Sequence, residues 1–127
     1  MIKKLLILGL MITSLFSQVK ELTDENFEKA TRRGLVVVEF WATWNEANKV
    51  EILDDWSEDT FDAKVYRVNI ELYSSIQSDN EVVILPTIIF YDSGEEVERL
   101  QGDMSFTLKV TPGKLDEIVE EILSNKF

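Results

Sequence analysis

The residues that could carry chemistry lie in one apolar stretch, Gly34 to Lys49, which reads GLVVVEFWATWNEANK. Glu39 is the single acid in its first half, and Asn45 and Glu46 follow after a tryptophan. A buried carboxylate such as Glu39 could act as a general base, because burial raises its pKa. The carboxamide of an asparagine, in contrast, is not a useful nucleophile at neutral pH. Carboxylates are therefore the acid–base groups that this stretch offers.

The chain contains no cysteine and no histidine. Their absence excludes disulfides, thiolate nucleophiles and imidazole bases from this chain. It also removes the usual ligands of zinc, copper and haem. Carboxylates and carbonyls suit Ca²⁺ or Mg²⁺, but no D-x-D-x-D-G loop is present. We therefore expect neither a metal site nor a cofactor.

Length and charge restrict the class of protein and of partner. The 127 residues suit one domain with a proper core. The formal net charge is −11, which repels nucleic acid and anionic membranes and favours neutral or cationic partners. A simpler interpretation is that the acidity serves solubility alone. We expect no nucleic-acid partner.

The first residues resemble a signal peptide. Lys3 and Lys4 precede an apolar core, Leu5 to Phe16, which is too short to span a membrane comfortably, and Ser17 offers a small residue for cleavage. The pattern predicts a signal peptide over 1–17 and a domain over 18–127. The protein is thus expected to be exported, either periplasmic or secreted. Membrane attachment would require that the signal sequence stays uncleaved.

The elements that must position the central stretch alternate between strand and helix. Three consecutive valines favour a strand buried on both faces, as in the middle of a parallel or mixed sheet. Asn45 is a good N-cap for the helix that follows. In the first half we predict strands over Val19–Leu22, Leu35–Trp41 and Lys64–Ile70, a helix from Thr23 to Gly34, and a second helix from Asn45 to about Trp56.

The second half predicts a hairpin and a last helix. A helical turn is expected within 71–81, and Asp92-Ser93-Gly94 should join strands Thr87–Tyr91 and Glu95–Leu100. Residues 103–110 either extend the sheet edge or form a flap. Thr111 and Pro112 are typical of a helix start, and an apolar stripe follows them at Leu115, Ile118, Val119, Ile122 and Leu123.

Two segments together resemble the thioredoxin family. The family signature V-V-V-D/E-F-W-A-x-W-C-G-P-C-K matches this chain through Trp44 and again at Lys49. The segment Val82 to Tyr91 is similar to the family's V-x-x-[IV]-P-T-x-x-x-F, in which the proline follows a cis bond, here at Pro86. The resemblance covers roughly residues 19–124. It implies an α/β thioredoxin-like fold, with a mixed central sheet of about five strands flanked by helices on both faces.

The resemblance also shows where this chain departs from the family. Asn45 and Asn48 stand where the family has its two cysteines, and Glu46-Ala47 replaces Gly-Pro. Because carboxamides cannot exchange with a disulfide, the chain alone is expected to be redox-inactive. Glu39 matches the family's buried acid. Without thiols we interpret it as a structural remnant, with Lys49 and Lys64 as candidate partners.

The family's binding groove implies a remaining role. Extended peptide pairs there with the backbone of the residue before the proline, here Leu85. The residues that would form this groove are Trp44, Asn45, Glu46, Ala47, Leu85 and Pro86. An exposed Trp44 would suit a partner surface. The alternative is that Trp44 merely packs over the site.

Three functions are compatible with these features. The leading one is an exported, redox-inactive domain that binds peptides or a protein partner. The second is an accessory member of a thiol–disulfide oxidoreductase system in cell redox homeostasis, with the cysteines supplied by a partner. The third, ranked last, is an enzyme that uses carboxylates such as Glu39 and Glu46.

Overall fold

The computed structural model describes residues 19–60 and 62–125. The predicted signal peptide, 1–17, and the first residue of the predicted domain lie outside the described residues. Within the described ranges, no helix is long and apolar enough to cross a membrane.

The described residues contain five strands, β1 (Lys20–Glu21), β2 (Leu35–Trp41), β3 (Lys64–Asn69), β4 (Thr87–Asp92) and β5 (Glu95–Gln101). They form one mixed sheet in the order β1-β3-β2-β4-β5. β1 and β2 are parallel to β3, whereas β4 is antiparallel to both β2 and β5. The thioredoxin-like α/β fold is therefore confirmed.

Helices cover both faces of the sheet because β2 is apolar on both sides. In the part of the chain that the structure describes, the α-helices are α1 (Phe27–Thr31), α2 (Ile52–Asp59), α3 (Ser74–Asp79) and α4 (Pro112–Ser124). Val36, Val38 and Phe40 join one buried cluster, which α1 and α3 cover. Leu35 and Val37 join the other, which α2 and α4 cover.

Two local predictions agree well with the structure. Ser93 and Gly94 both have positive φ, 54° and 88°, and form a two-residue turn between β4 and β5. Thr111 caps α4, since its side chain accepts a 3.1 Å hydrogen bond from the amide of Lys114. Both features depend on neighbouring residues alone.

The prediction of one continuous helix from Asn45 to about Trp56 is wrong, because the helical conformation is interrupted between Asn48 and Ile52. A 3₁₀ turn spans Thr43–Asn48, Lys49 is extended with ψ of 146°, and α2 begins only at Ile52. The amide of Val50 donates to Glu39 Oε2 over 2.8 Å, and its carbonyl accepts from Arg67 Nη2 over 2.9 Å. Buried side chains therefore take backbone groups that a continuous helix would need.

Residues 103–110 form a flap and do not extend the sheet. β5 ends at Gln101, and no strand is assigned to 102–110. Leu108 and Val110 pack against the cluster beneath α2 and α4. The flap alternative is thus the correct one.

Candidate functional site

The 3₁₀ turn Thr43–Asn48 and the loop before β4 lie at the same end of the sheet. Phe40 of β2 is paired with Thr87 of β4 in antiparallel register, so the residues after Phe40 and before Thr87 leave one sheet edge together. Topology thus brings the two separated sequence motifs to one place.

Two residues that sequence reasoning missed hold the turn in place. Asn69 donates from Nδ2 to Thr43 Oγ1 over 3.1 Å, and Glu71 accepts from the amide of Trp44 over 3.0 Å. Both residues stand at the end of β3 or just after it. The sequence did contain a signal for them. β3 lies beside β2, so polar residues at the end of β3 should lie near the turn that follows β2.

Asn45 is buried, with 6% of its surface exposed, and it does not cap a helix. The residue at the N-cap position of the turn is Ala42, and Asn45 lies inside the turn with φ of −115°. Its Oδ1 accepts from Asn48 Nδ2 over 2.8 Å, and its Nδ2 donates to the carbonyl of Phe106 over 3.1 Å. The prediction of an Asn45 N-cap was wrong, because both polar atoms of its side chain are bonded elsewhere, to Phe106 of the flap and to Asn48.

Trp44 is 61% exposed, so it does not simply pack over the site. Its ring meets the ring of Phe106 edge-on, with centroids 5.2 Å apart and planes at 88°. Glu46 and Ala47 are exposed beside it, and Glu46 Oε1 lies 3.8 Å from Lys49 Nζ. The turn thus presents an exposed indole that contacts the ring of Phe106.

Leu85 and Pro86 are both buried, and the peptide bond between them is cis. The Leu85 side chain belongs to the core cluster beneath α1 and α3. Neither the amide nor the carbonyl of Leu85 forms a hydrogen bond with the residues that the structure describes. Pro86 accepts a 2.8 Å bond from the amide of Gly102, at the start of the flap. Leu85 therefore has unpaired backbone groups, but the whole residue is only 4% exposed and its carbonyl lies against Gly102.

The buried acid Glu39 is paired with Arg67, and not with Lys49 or Lys64. Arg67 Nε donates to Glu39 Oε1 over 2.8 Å, and both side chains are almost fully buried. Lys64 is exposed at the start of β3, and Lys49 Nζ lies 4.4 Å from the centroid of the Trp41 ring. Lys49 adds only a lesser electrostatic attraction to Glu39, so neither predicted lysine is its direct partner. The signal that was missed is the inward position of an arginine in the strand next to Glu39.

The environment of Glu39 limits its chemistry. Burial raises its pKa, and the Arg67 guanidinium acts in the opposite direction without cancelling that effect. Both carboxylate oxygens already accept hydrogen bonds, from Arg67 and from Val50. Arg67 is completed by Asp54, whose Oδ1 lies 2.8 Å from Nη1. Glu39 is therefore a structural acid that reaches no open surface.

Metal ligands are not clustered in the part of the chain described here. Among residues 19–60 and 62–125, no group of three or more carboxylate, histidine or cysteine side chains is placed to hold a metal ion.

Comparisons with known proteins agree with this geometry. The family model for thioredoxin matches residues 18–111. Thioredoxin-2 of Saccharomyces cerevisiae is 33% identical over 88 residues, which cover 68% of this chain and 85% of that protein. Thioredoxin of Listeria monocytogenes is 32% identical over 87 residues, covering 66% of this chain and 84% of that protein.

Solved structures show the same fold at lower identity. A mutant thioredoxin from Halobacterium salinarum superposes with a TM-score of 0.68 at 21% identity, over 84% of this chain and 90% of that one. The thioredoxin of Malassezia sympodialis gives a TM-score of 0.62 at 21% identity, over 83% and 90% of the two chains. The structural match, the family model and the sequence relatives agree, and the chain belongs to the thioredoxin family.

Proposed function

We propose that this chain is an exported, redox-inactive thioredoxin-like domain that binds an extended peptide or a protein partner. The groove would be formed by Trp44, Asn45, Glu46 and Ala47 together with the backbone at Leu85 and Pro86. The observation that carries the proposal is the 61% exposure of Trp44 on a turn that has lost both cysteines.

Redox inactivity follows from the composition of the site. Thiol–disulfide exchange needs an attacking thiolate and a second thiol that resolves the mixed disulfide. Asn45 and Asn48 bind each other through their carboxamides, and the chain has no cysteine elsewhere. The turn keeps its place in the fold, but a hydrogen bond between two carboxamides stands where the family has its pair of thiols.

Binding is supported by the groups that remain open around the turn. Tryptophan is enriched at binding hot spots because it buries a large apolar surface at small entropic cost. The Leu85 backbone is unpaired but buried, with its carbonyl against Gly102, so a strand of the partner could pair with it only after the neighbouring flap moves aside. Glu46 follows Trp44 by two residues, and Glu71 accepts from the Trp44 amide; both acids are exposed. A neutral or cationic segment therefore fits this surface better than an acidic one.

A matched pair of variants tests the groove. Trp44→Glu places a charge in the proposed groove, whereas Val97→Glu places the same charge on an exposed apolar position in β5, 44% exposed. Both variants and the parent are screened against one array of synthetic extended peptides. Peptides bound by the parent and by Val97→Glu but lost by Trp44→Glu would support the proposal. Equal binding by all three proteins would refute it.

Export is the second part of the proposal and rests on the N-terminal pattern over 1–17. Expression of the whole chain followed by cell fractionation and N-terminal sequencing tests it. Recovery outside the cytoplasm, with a new N-terminus near Gln18, is the expected result. An intact N-terminus in the cytoplasm would contradict it.

An accessory role in a thiol redox system is the second candidate, favoured by the similarity to thioredoxins. A partner would then supply the cysteines. Insulin reduction should be absent with this chain alone and should rise when it is added to a cysteine-bearing oxidoreductase. An unchanged rate would remove this candidate. An enzyme based on Glu39 is disfavoured, because both of its oxygens are already bound.

A further inference from the structure

The flap residues 103–107, which we call the lid, cover the position where the family has its first cysteine. The carbonyl of Phe106 accepts the 3.1 Å bond from Asn45 Nδ2, and the Phe106 ring meets Trp44 edge-on at 5.2 Å. Asn45 itself is only 6% exposed. The chain thus places one of its own aromatic residues on the surface that a peptide would use.

The lid is a preformed turn. The Asp103 carboxylate accepts from the amides of Ser105 and Thr107 over 2.9 and 3.2 Å and from both of their hydroxyl groups. The amide of Phe106 donates to the carbonyl of Asp103 over 3.0 Å. Phe106 itself has φ of 60°, a left-handed conformation that a bulky residue adopts only when its surroundings impose it.

The lid is held to the site by few contacts. Among residues 19–60 and 62–125, one hydrogen bond and one ring contact join it to the turn, and Phe106 remains 42% exposed. Its two ends are anchored independently, at Gly102 by the bond to Pro86 and at Leu108 by packing against the core. The lid could therefore leave Trp44 without unfolding the sheet or α4.

We propose that the lid is a displaceable internal competitor, and that the site takes a peptide segment carrying an aromatic side chain and a backbone carbonyl placed like those of Phe106. This inference rests on the proposed peptide-binding function. Trp44 would recognise the aromatic ring through an edge-to-face contact, and the Asn45 amide would recognise the carbonyl. A segment that binds must first displace Phe106, so the apparent affinity equals the intrinsic affinity multiplied by the fraction of molecules whose lid is open.

Two lid variants and one control separate the lid from the rest of the loop. Phe106→Gly removes the ring while glycine keeps the positive φ without strain. Asp103→Ala keeps the ring but removes the acceptor that closes the turn. Met104→Ala removes an apolar side chain from the same loop, where it is 91% exposed. The probes are a synthetic peptide with the sequence of residues 102–110 and its counterpart carrying Phe106→Ser.

We expect Phe106→Gly and Asp103→Ala to bind the phenylalanine peptide about five-fold more tightly than the parent, and Met104→Ala to match the parent. The serine peptide should bind about five-fold more weakly to every variant. Without peptide, NMR signals of the Trp44 indole and the Asn45 carboxamide should shift in both lid variants and stay unchanged in Met104→Ala.

The outcomes distinguish this inference from the function on which it rests. If both lid variants bind no more tightly than the parent, the competitor is refuted. If the phenylalanine and serine peptides bind equally, the aromatic requirement is refuted, although loss of binding in Trp44→Glu would still support the groove. If neither these peptides nor any peptide of the array binds to parent or variants, both proposals fail.

Discussion

Glu39 and Arg67 lie directly opposite each other in the parallel strands β2 and β3, joined by a 2.8 Å bond from Nε to Oε1. The pair also binds both backbone groups of Val50, at the point where the 3₁₀ turn gives way to α2. An acid inherited from a redox family therefore has a structural task in this chain. It fixes the path of the backbone beneath the site.

Removing one member of this pair should be costly. Glu39→Leu leaves Arg67 buried with only Asp54 to balance its charge, so we expect the free energy of unfolding to fall by about 3 kcal/mol. Adding Arg67→Met should recover about 2 kcal/mol relative to the sum of the single changes. Urea denaturation of the four proteins measures the cycle. Strictly additive losses would show that the pair contributes no coupling.

The raised pKa of Glu39 predicts a pH dependence of stability. Burial is the main cause, and the folded pKa lies above the ordinary value of 4.5. The contribution of Glu39 to stability is therefore fully present below pH 4.5 and is lost as the pH rises through the folded pKa. Relative to the isosteric Glu39→Gln, the parent should lose free energy of unfolding over that window. A parent that becomes more stable relative to Glu39→Gln as the pH rises would contradict this prediction.

The Asp103 carboxyl should titrate at about pH 2, well below its ordinary value of 3.8, because hydrogen bonds from Ser105 and Thr107 favour its ionised form. The contribution of the ionised group to the lid is present above pH 3.8 and is lost as the pH falls through about 2. Carbon-detected NMR of the carboxyl group gives the midpoint. Ser105→Ala with Thr107→Val should move it back toward 3.8, and an unchanged midpoint would show that these bonds are not the cause.

Restoring both thiols tests whether the turn retains the family framework. Asn48 Nδ2 donates to Asn45 Oδ1 over 2.8 Å, so the two side chains face each other, and we expect Asn45→Cys with Asn48→Cys to form an intramolecular disulfide under mild oxidation. The double variant should also gain measurable insulin reduction, and each single variant should not. Mass spectrometry and thiol counting give the first result. Two persistently free thiols would show that the turn has lost the required geometry.

Gly102 should not tolerate a side chain. A Cβ there would lie 2.7 Å from the Leu85 carbonyl oxygen and 3.0 Å from that of Thr107, and both are backbone atoms. We expect Gly102→Ala to lower the free energy of unfolding by about 2 kcal/mol. Gly113→Ala is the matched control, since its Cβ would meet nothing closer than 3.9 Å. Equal stability of the two variants, by thermal or urea unfolding, would contradict the expected clash.

The sequence by itself determined the fold, because the features that specify it are local. The valine run of β2, the Ser93-Gly94 turn and the capped start of α4 at Thr111 each follow from neighbouring residues. Hydrophobic spacing then assigns each element a buried face, and the order of the elements leaves few ways to assemble them. The absence of both family cysteines could equally be read from the sequence, since it depends on residue identity alone.

Only the tertiary structure decided how the site is built, because its decisive contacts join distant residues. The partner of Glu39 is 28 residues away in the chain, and the acceptor of the Asn45 amide is 61 residues away. The bonds of Glu39 and Arg67 to Val50 interrupt the predicted helix. The bond from Asn45 to Phe106 uses a side chain that was predicted to cap that helix. An N-cap side chain stabilises a helix by about 1 kcal/mol. Leaving a buried donor or acceptor without a partner costs about 1–3 kcal/mol, so the hydrogen bonds of the buried groups outweigh the capping preference.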